Sequence, residues 1–179
     1  MLFLPTEVSG AWLIEPELIS DERGSFGRTW CAHEFEKRGL NPRLVQCNIS
    51  TNRRRGTVRG MHFQREPHAE AKLVRCTRGA IFDVIVDLRS GSPTYCRWAG
   101  QELSADNHRM FYIPEGFAHG FQTLTDDTEI FYQMSREYVP GSSTGVRWND
   151  PAIRIEWPLP ISVITTKDEA WPDWERATC

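Results

Sequence analysis

The stretch that decides the fold reads Gly56-Thr57-Val58-Arg59-Gly60-Met61-His62-Phe63-Gln64 and continues, after a loop, as Lys72-Leu73-Val74-Arg75-Cys76-Thr77-Arg78-Gly79. If both segments are β-strands, side chains alternate between the faces of each, and one face of the first strand carries Val58, Gly60, His62 and Gln64. Lys72 stands at the start of the second strand. An imidazole and an ammonium can therefore share one interior, which is an arrangement suited to proton transfer.

Strand patterns continue on the C-terminal side of this stretch. Residues 80–88 alternate two largely apolar faces around Asp83 and Asp87, which predicts a strand enclosed in a barrel or sandwich. Further strands are predicted at 98–103, 109–113, 117–124 and 128–134, with turn residues between them. Short β-segments are expected at 1–19, 25–30 and 153–157, and a short helix at 32–38. The predicted fold class is all-β, with few and short helices.

Size and composition favour a single globular domain. The 179 residues and 20.7 kDa suit a single domain, 1–179, that buries a substantial core and ends in a tail at 159–179. The net charge of −3 gives no general attraction to nucleic acid, and no apolar run reaches membrane-spanning length. Residues 1–5 lack the basic flank and the apolar length of a signal peptide, so a cytoplasmic location is expected. The five cysteines form no C-x-x-C pair, so we also expect reduced thiols, as is usual in that compartment.

Two motifs connect the chain to known proteins. The spacing of Gly56, His62, Gln64, Lys72 and Gly79, followed by Pro114-Glu115-Gly116-Phe117-Ala118-His119, resembles the cupin signatures. A longer ordered set narrows the match, namely Arg59 to Gln64, Lys72 to Val74, Asp83 to Arg89, Ser92 to Thr94, Ile113 to Phe121, Tyr132, Trp148 to Pro151, Trp157-Pro158 and Lys167-Asp168. This set resembles the dTDP-4-dehydrorhamnose 3,5-epimerase family.

The resemblance implies a cupin-type jelly-roll barrel and an isomerase. Such an enzyme inverts C3, C5 or both in a nucleotide-linked 4-keto-6-deoxyhexose, by removing a proton beside the C4 ketone and returning one from the opposite face. It implies His62 as the base, Asp168 as the hydrogen-bond partner of its other ring nitrogen, Lys72 as the charge at the C4 oxygen and Tyr132 as the acid. No cofactor is expected, because the ketone already acidifies the neighbouring C–H bond.

The resemblance also implies the substrate contacts. Arg23, Arg59 and Lys167 are expected at the diphosphate, Phe26 and Tyr138 against base or sugar, Gln46 and Asn48 toward the ligand, and His119 beside the ring. Arg28 replaces a Glu that is common in the family, which leaves the nucleotide base open. The N-terminal strands, 1–30, are expected to be shared across a homodimer, with Arg23 and Phe26 reaching the neighbouring subunit's site.

Several assignments stay open at this point. Asp83 can pair with Lys72, orient His62 or make a purely structural hydrogen bond. Arg53 to Arg55 read as a solvated turn. No metal is expected, since the cupin ligand positions hold His62, Gln64, Lys72 and His119, and an ammonium has no lone pair to offer. The alternatives to an epimerase are a nucleotide-sugar 3,4-ketoisomerase, a metal-dependent cupin oxygenase and a non-catalytic sugar-nucleotide-binding cupin.

Overall fold

The structure is a computed structural model that describes residues 1–175, so Cys179 and the end of the expected tail lie outside the described residues. Its strands are β1 (Leu2–Pro5), β2 (Trp12–Glu15), β3 (Ile19–Asp21), β4 (Gly24–Phe26), β5 (Gln46–Asn52), β6 (Val58–Gln64), β7 (Lys72–Arg78), β8 (Ala80–Asp87), β9 (Trp98–Ser104), β10 (Met110–Ile113), β11 (Phe117–Thr123), β12 (Thr128–Met134) and β13 (Ser143–Gly145). The helices are α1 (Ala32–Glu36), α2 (Thr166–Glu169) and a 3₁₀ turn at Pro140–Ser142. None of the helices found in residues 1–175 has the length and apolar character to cross a bilayer.

Two antiparallel sheets and a small hairpin make up the fold. The larger sheet has six strands in the order β1-β2-β10-β7-β12-β5, and the smaller has five in the order β13-β6-β11-β8-β9. β3 and β4 form a separate hairpin. One apolar core contains side chains of both sheets, including Val74 and Ile130 from the larger and Ile85 and Phe121 from the smaller. The sheets therefore pack face to face, and the all-β prediction is confirmed.

Strand β8 has the two apolar faces that its sequence predicts. Ile81 and Ile85 lie in the core between the sheets. Val84 and Val86 point to the other face, where they pack in a second cluster with Ile153, Ile155 and other residues. The C-terminal part of the chain thus covers the outer face of the smaller sheet, which is why this strand has no solvated side.

A bulge in β6 changes which of its residues share a face. His62 pairs with His119 of β11 and Arg59 pairs with Phe121, and the register shifts between these pairs. Gly60 lies in this irregular segment with a φ of +139°, and a Cβ at this position would lie 2.6 Å from the Cα of Gly120. Glycine is required by both the backbone angle and the close approach. Strict alternation was therefore the wrong expectation here, and Arg59 lies on the same side as His62.

Four other expectations about secondary structure are also corrected. Residues 153–157 form no strand, because the Asp150 carboxylate accepts hydrogen bonds from the backbone N–H groups of Ala152 and Ile153 and sets a turn. β13, in a region expected to be loop, pairs instead with β6. The strand expected at 25–30 is reduced to β4, because its partner β3 has only three residues, and the helix expected at 32–38 ends at Glu36.

Candidate active site

A cavity of about 240 Å³ opens between the two sheets. The smaller sheet contributes Arg59, His62 and His119, and the larger contributes Asn48, Lys72 and Tyr132, the remaining lining residues being Ser50, Gly120, Phe121 and Met134. Six residues predicted for the site from sequence are thus brought together. Because the chemistry-bearing side chains come from opposite walls, a flat ring bound between them meets different groups on its two faces.

His62 is held by a carboxylate from the far end of the chain. Its Nε2 lies 2.7 Å from Oδ1 of Asp168 in α2, and the backbone N–H of Gly60 donates to the other carboxylate oxygen at 3.3 Å. The segment before α2 is itself bonded to β6, since the N–H of Val58 donates to the carbonyl of Val163 at 2.8 Å. The predicted hydrogen bond between His62 and Asp168 is confirmed. With Nε2–H donating to Asp168, Nδ1 carries the free lone pair.

The environment of Asp168 favours its charged form. Burial on its own would raise the pKa of this carboxyl, but the hydrogen bond and charge of His62 and the N–H of Gly60 outweigh burial and hold the pKa below its ordinary value of 3.8. An ionised Asp168 accepts from His62 and stabilises the imidazolium that forms when the ring takes up a proton.

Asp168→Asn is expected to lower the free energy of unfolding at pH 7 by about 1.5–3 kcal/mol, the usual contribution of a charge-assisted hydrogen bond. A folded-state pKa below the unfolded value of 3.8 means that the stabilisation is complete above that pH and is lost as the pH falls through the folded-state pKa. Urea denaturation of both proteins from pH 7 to pH 3 measures the difference. Glu169→Gln, which changes an exposed carboxylate on the same helix, serves as the control. A wild-type-to-Asn difference that stays constant over this range contradicts the assignment.

Lys72 lies at the boundary between this cavity and a second one. Its Nζ is 3.0 Å from Oε1 of Glu70 and donates to the backbone carbonyl of His62 at 3.4 Å. Both charged side chains are buried, Lys72 being 9% exposed and Glu70 3%. A buried ammonium next to His62 places a positive charge where a substrate oxygen can be stabilised in a low-dielectric setting.

Tyr132 is held in its neutral form. Removal from water and the nearby Asp83 carboxylate both raise the pKa of the phenol far above its ordinary value of 10.0, and the opposing effect of the Arg59 guanidinium is smaller. Its ring meets the His119 ring edge to face, with 6.0 Å between centroids. A neutral phenol on the wall opposite His62 can donate a proton, which is what an acid catalyst needs.

Asp83 orients His119. Its Oδ1 lies 2.8 Å from Nε2 of His119, and both residues are buried. The prediction that Asp83 orients His62 is wrong, because the β8–β11 pairing brings Asp83 beside β11 while Asp168 holds His62. The prediction of a direct pair with Lys72 is also wrong, since the ion-pair partner of Lys72 is Glu70. Burial raises the pKa of Asp83, and the charges of His119 and Lys72 act against that rise.

Arg59 joins the cavity to a basic surface pocket. Its Nε donates to Oδ1 of the buried Asn52 at 2.7 Å, which fixes the guanidinium, and within residues 1–175 no hydrogen bond of its terminal nitrogens is found. Arg53 and Arg54 line the neighbouring pocket of about 440 Å³ together with Arg59. A guanidinium held this way matches the oxygens of a phosphate group.

The second cavity, of about 200 Å³, shares His62 and Lys72 with the first and is also lined by Tyr138 and Lys167. Gln46 does not line either cavity and instead accepts a hydrogen bond from the backbone N–H of Tyr138 at 3.0 Å.

Gln64, at a cupin ligand position, donates to two backbone carbonyls and accepts from the N–H of Val139. Its amide is therefore used to hold the loop that carries Tyr138. With the Gln64 amide used in this way and an ammonium at Lys72, the cupin ligand positions suit an anionic substrate oxygen better than a metal ion.

Arg23 and Phe26 lie away from both cavities of their own chain. Arg23 is 84% exposed and paired with Asp21, and Phe26 is 77% exposed in the β3–β4 hairpin. Arg28 pairs with Glu34, its Nη1 lying 2.8 Å from the carboxylate.

Glu70, which lines the second cavity, was missed by the sequence reasoning. The signal was weak, since it consisted only of an acid two residues before Lys72 on an extended segment. Met134 and Phe121 were missed as lining residues because apolar side chains in strands are usually core residues.

A double antiparallel sheet whose interior brings a carboxylate-bound imidazole, a phenol and an ammonium into one cavity is the architecture of a cupin-type isomerase. The family model described as dTDP-4-dehydrorhamnose 3,5-epimerase matches residues 5–176. The chain belongs to this family of isomerases.

Individual relatives match over nearly the whole chain. The dTDP-4-dehydrorhamnose 3,5-epimerase of Methanothermobacter thermautotrophicus is 48% identical over 172 residues, which cover 94% of this chain and 92% of the relative. The crystal structure of the enzyme of that name from Elizabethkingia anophelis superposes with a TM-score of 0.94 at 39% identity, covering 97% of this chain and 96% of that one. The enzyme of that name from Bacillus anthracis, solved with TDP and pyrophosphate bound, has a TM-score of 0.92 at 42% identity, with coverage of 97% and 99%. The predicted cupin-type fold is confirmed.

Proposed function

We propose that this protein inverts C3, C5 or both in a dTDP-linked 4-keto-6-deoxyhexose, with His62 as the base and Tyr132 as the acid. The observation that carries the proposal is that these two side chains line one cavity from opposite sheets, with Lys72 beside them. Inversion needs a proton acceptor on one face of a carbon and a proton donor on the other.

In the proposed reaction, Nδ1 of His62 takes the proton from the carbon beside the ketone. The electron pair of the broken C–H bond moves into the carbonyl and leaves an enolate with its negative charge on the C4 oxygen. Tyr132 then gives its hydroxyl proton to the opposite face of the same carbon, which restores the ketone with inverted configuration. Solvent later returns a proton to the phenolate and accepts the one held by His62, so protons balance and no cofactor takes part.

Lys72 is proposed to stabilise the enolate. The ammonium is buried beside His62, and a fixed charge in a water-poor cavity stabilises an oxyanion far more than a charge in water does. His119, held by Asp83, is proposed to contact the ring.

The diphosphate and nucleoside of the substrate are proposed to leave the cavity past Arg59, whose guanidinium is held by Asn52 beside the basic pocket. Tyr138 and Lys167 line the second cavity with Gln64, at the other end of β6, and are proposed to contact the sugar end. The relative that holds TDP and pyrophosphate supports a nucleotide diphosphate as part of the ligand. Asn48, which lines the cavity, is proposed to contact the same ligand, and Gln46 to act through the Tyr138 loop.

Two chains are proposed to pair through the N-terminal segment, and this pairing is proposed to bring Arg23 and Phe26 to the neighbouring subunit's site. The β3–β4 hairpin leaves Ile19 74% exposed and Phe26 77% exposed, directly opposite each other. Apolar side chains exposed in register on a hairpin favour burial against another surface. A cytoplasmic location remains a proposal that rests on the sequence alone.

Incubation of the wild-type protein with dTDP-4-keto-6-deoxyglucose in D₂O tests the proposed function. We expect one deuterium to enter at each carbon that is inverted, because the proton taken by His62 and the proton given by Tyr132 both exchange with solvent. NMR of the product counts the labelled positions and so distinguishes inversion at C3, at C5 or at both. Turnover without deuterium, migration of the ketone to C3, or binding without exchange contradicts the proposal.

A further inference from the structure

Glu70 lies in the wall of the site without a role in the proposed reaction. It comes two residues before Lys72, in the segment that leads into β7, and its carboxylate is 3% exposed. The backbone that follows it is fixed by two hydrogen bonds, because Ala71 accepts from the N–H of Ser135 at 3.0 Å and donates to the Ser135 hydroxyl at 2.8 Å. The carboxylate is therefore held in a defined place rather than on a mobile loop.

Within residues 1–175, Lys72 is the only polar contact of the Glu70 carboxylate. Oε1 lies 3.0 Å from Nζ of Lys72, and Oε2 is buried without a hydrogen-bond partner among the described residues. Burial of a carboxylate is costly unless it is paired, and here the pairing is with one ammonium alone. The direct contact through which Glu70 can act on the reaction is therefore its ion pair with Lys72.

We infer that Glu70 is a positioning residue that holds the Lys72 ammonium at the C4 oxygen of the substrate. Lysine has a long and flexible side chain whose ammonium carries three N–H donors. Contact with Glu70 and the hydrogen bond to the carbonyl of His62 restrain Nζ and leave a donor for the substrate oxygen. This inference rests on the proposed role of Lys72.

The charge of Glu70 has two opposing effects on the reaction. It attracts Nζ to one position, which favours the enolate, and it partly neutralises the ammonium, which disfavours it. The hydrogen bond of Lys72 to the His62 carbonyl is long, at 3.4 Å, so Glu70 provides the stronger of the two restraints. We infer that positioning is the larger effect.

Glu70→Ala is expected to lower kcat by about 10²-fold, the effect of a misplaced catalytic group. KM and the affinity for TDP, which lacks the sugar, are expected to change little. Glu70→Gln keeps the size and one acceptor oxygen but loses the charge, so it is expected to lie between wild type and Glu70→Ala. Glu15→Ala removes another carboxylate, the partner of Arg109 at 2.8 Å and outside the cavities, and serves as the matched control.

A double-mutant cycle with Lys72→Met separates positioning from a structural role. If Glu70 acts through Lys72, Glu70→Gln has no further effect on kcat in the Lys72→Met background. An equal effect in both backgrounds overturns the inference, and so does a Glu70→Ala protein with wild-type or higher kcat. If Glu70→Ala does not fold, Glu70→Gln and the double-mutant cycle with Lys72→Met still test the inference. Deuterium exchange by the wild type alone tests the proposed function, so exchange there with no effect of Glu70 refutes only this inference.

Discussion

His62→Asn is expected to lower kcat by about 10²- to 10⁴-fold, the range for loss of a general base. Asparagine is close in size and can still accept a hydrogen bond, but its amide does not take up a proton near neutral pH. Proton abstraction is the first chemical step, so deuterium uptake from D₂O and product formation should fall together. Single-turnover NMR measures both rates on one sample.

The affinity for TDP should stay close to that of wild type, because the proposed partner of His62 is the sugar, which TDP lacks. The thermal midpoint should fall, because asparagine is too short to keep the hydrogen bond that Nε2 of His62 makes with Asp168. His33→Asn changes a histidine of α1, outside both cavities, and provides the control. A His62→Asn protein that still exchanges deuterium at the wild-type rate would assign the base to another residue.

Tyr132→Phe is expected to separate exchange from inversion. His62 can still remove the proton and return a deuteron to the same face, so label enters the substrate while its configuration is retained. Formation of the inverted product should fall by about 10²- to 10⁴-fold, since no donor remains on the opposite face. The measurement is NMR of the recovered substrate and product after incubation in D₂O.

Tyr112→Phe is a matched control for this experiment. Tyr112 is also a buried phenol, with a pKa raised to about 12 by burial, but it accepts a hydrogen bond from the N–H of Asn41 and lines neither cavity. Its loss should cost some stability and leave inversion intact. Wild-type inversion by Tyr132→Phe would exclude this phenol as the acid.

The strands and the meeting of His62, Lys72 and Tyr132 in one cavity could be predicted because their signals are local. Alternation around Asp83 places apolar side chains on both faces of β8, and the structure has a core on each side of it. His62 and Lys72 stand in short motifs whose spacing indicates where the strands begin and end. The inward direction of Tyr132 is predicted by alternation along β12, whose predicted bounds match the observed ones.

Pairings between distant segments could not be predicted in the same way. Whether Asp83 meets His62 or His119 depends on which strand lies beside β8, and the register of that pairing is set by packing across the whole sheet. The position of Arg59 beside His62 depends on a bulge, which arises from the close contact of Gly60 with Gly120. Neither the register of β8 with β11 nor the bulge in β6 produces a periodic pattern of residues from which it could be predicted.

The prediction of a strand at 153–157 was wrong for a related reason. Ile153 and Ile155 alternate as strand residues do, but they cover the outside of the smaller sheet in a turn held by Asp150. Apolar alternation indicates burial, and burial was achieved here without a partner strand.

The origin of Asp168 near the end of the chain has a consequence for biosynthesis and for proteolysis. A nascent polypeptide that has not yet emerged past α2 already contains the imidazole, the ammonium and the phenol, yet the imidazole has no carboxylate to hold it. Cleavage by a protease before α2 would have the same result, leaving His62 without the Asp168 carboxylate. His62 therefore gains its carboxylate partner only when the segment that carries α2 has folded against β6.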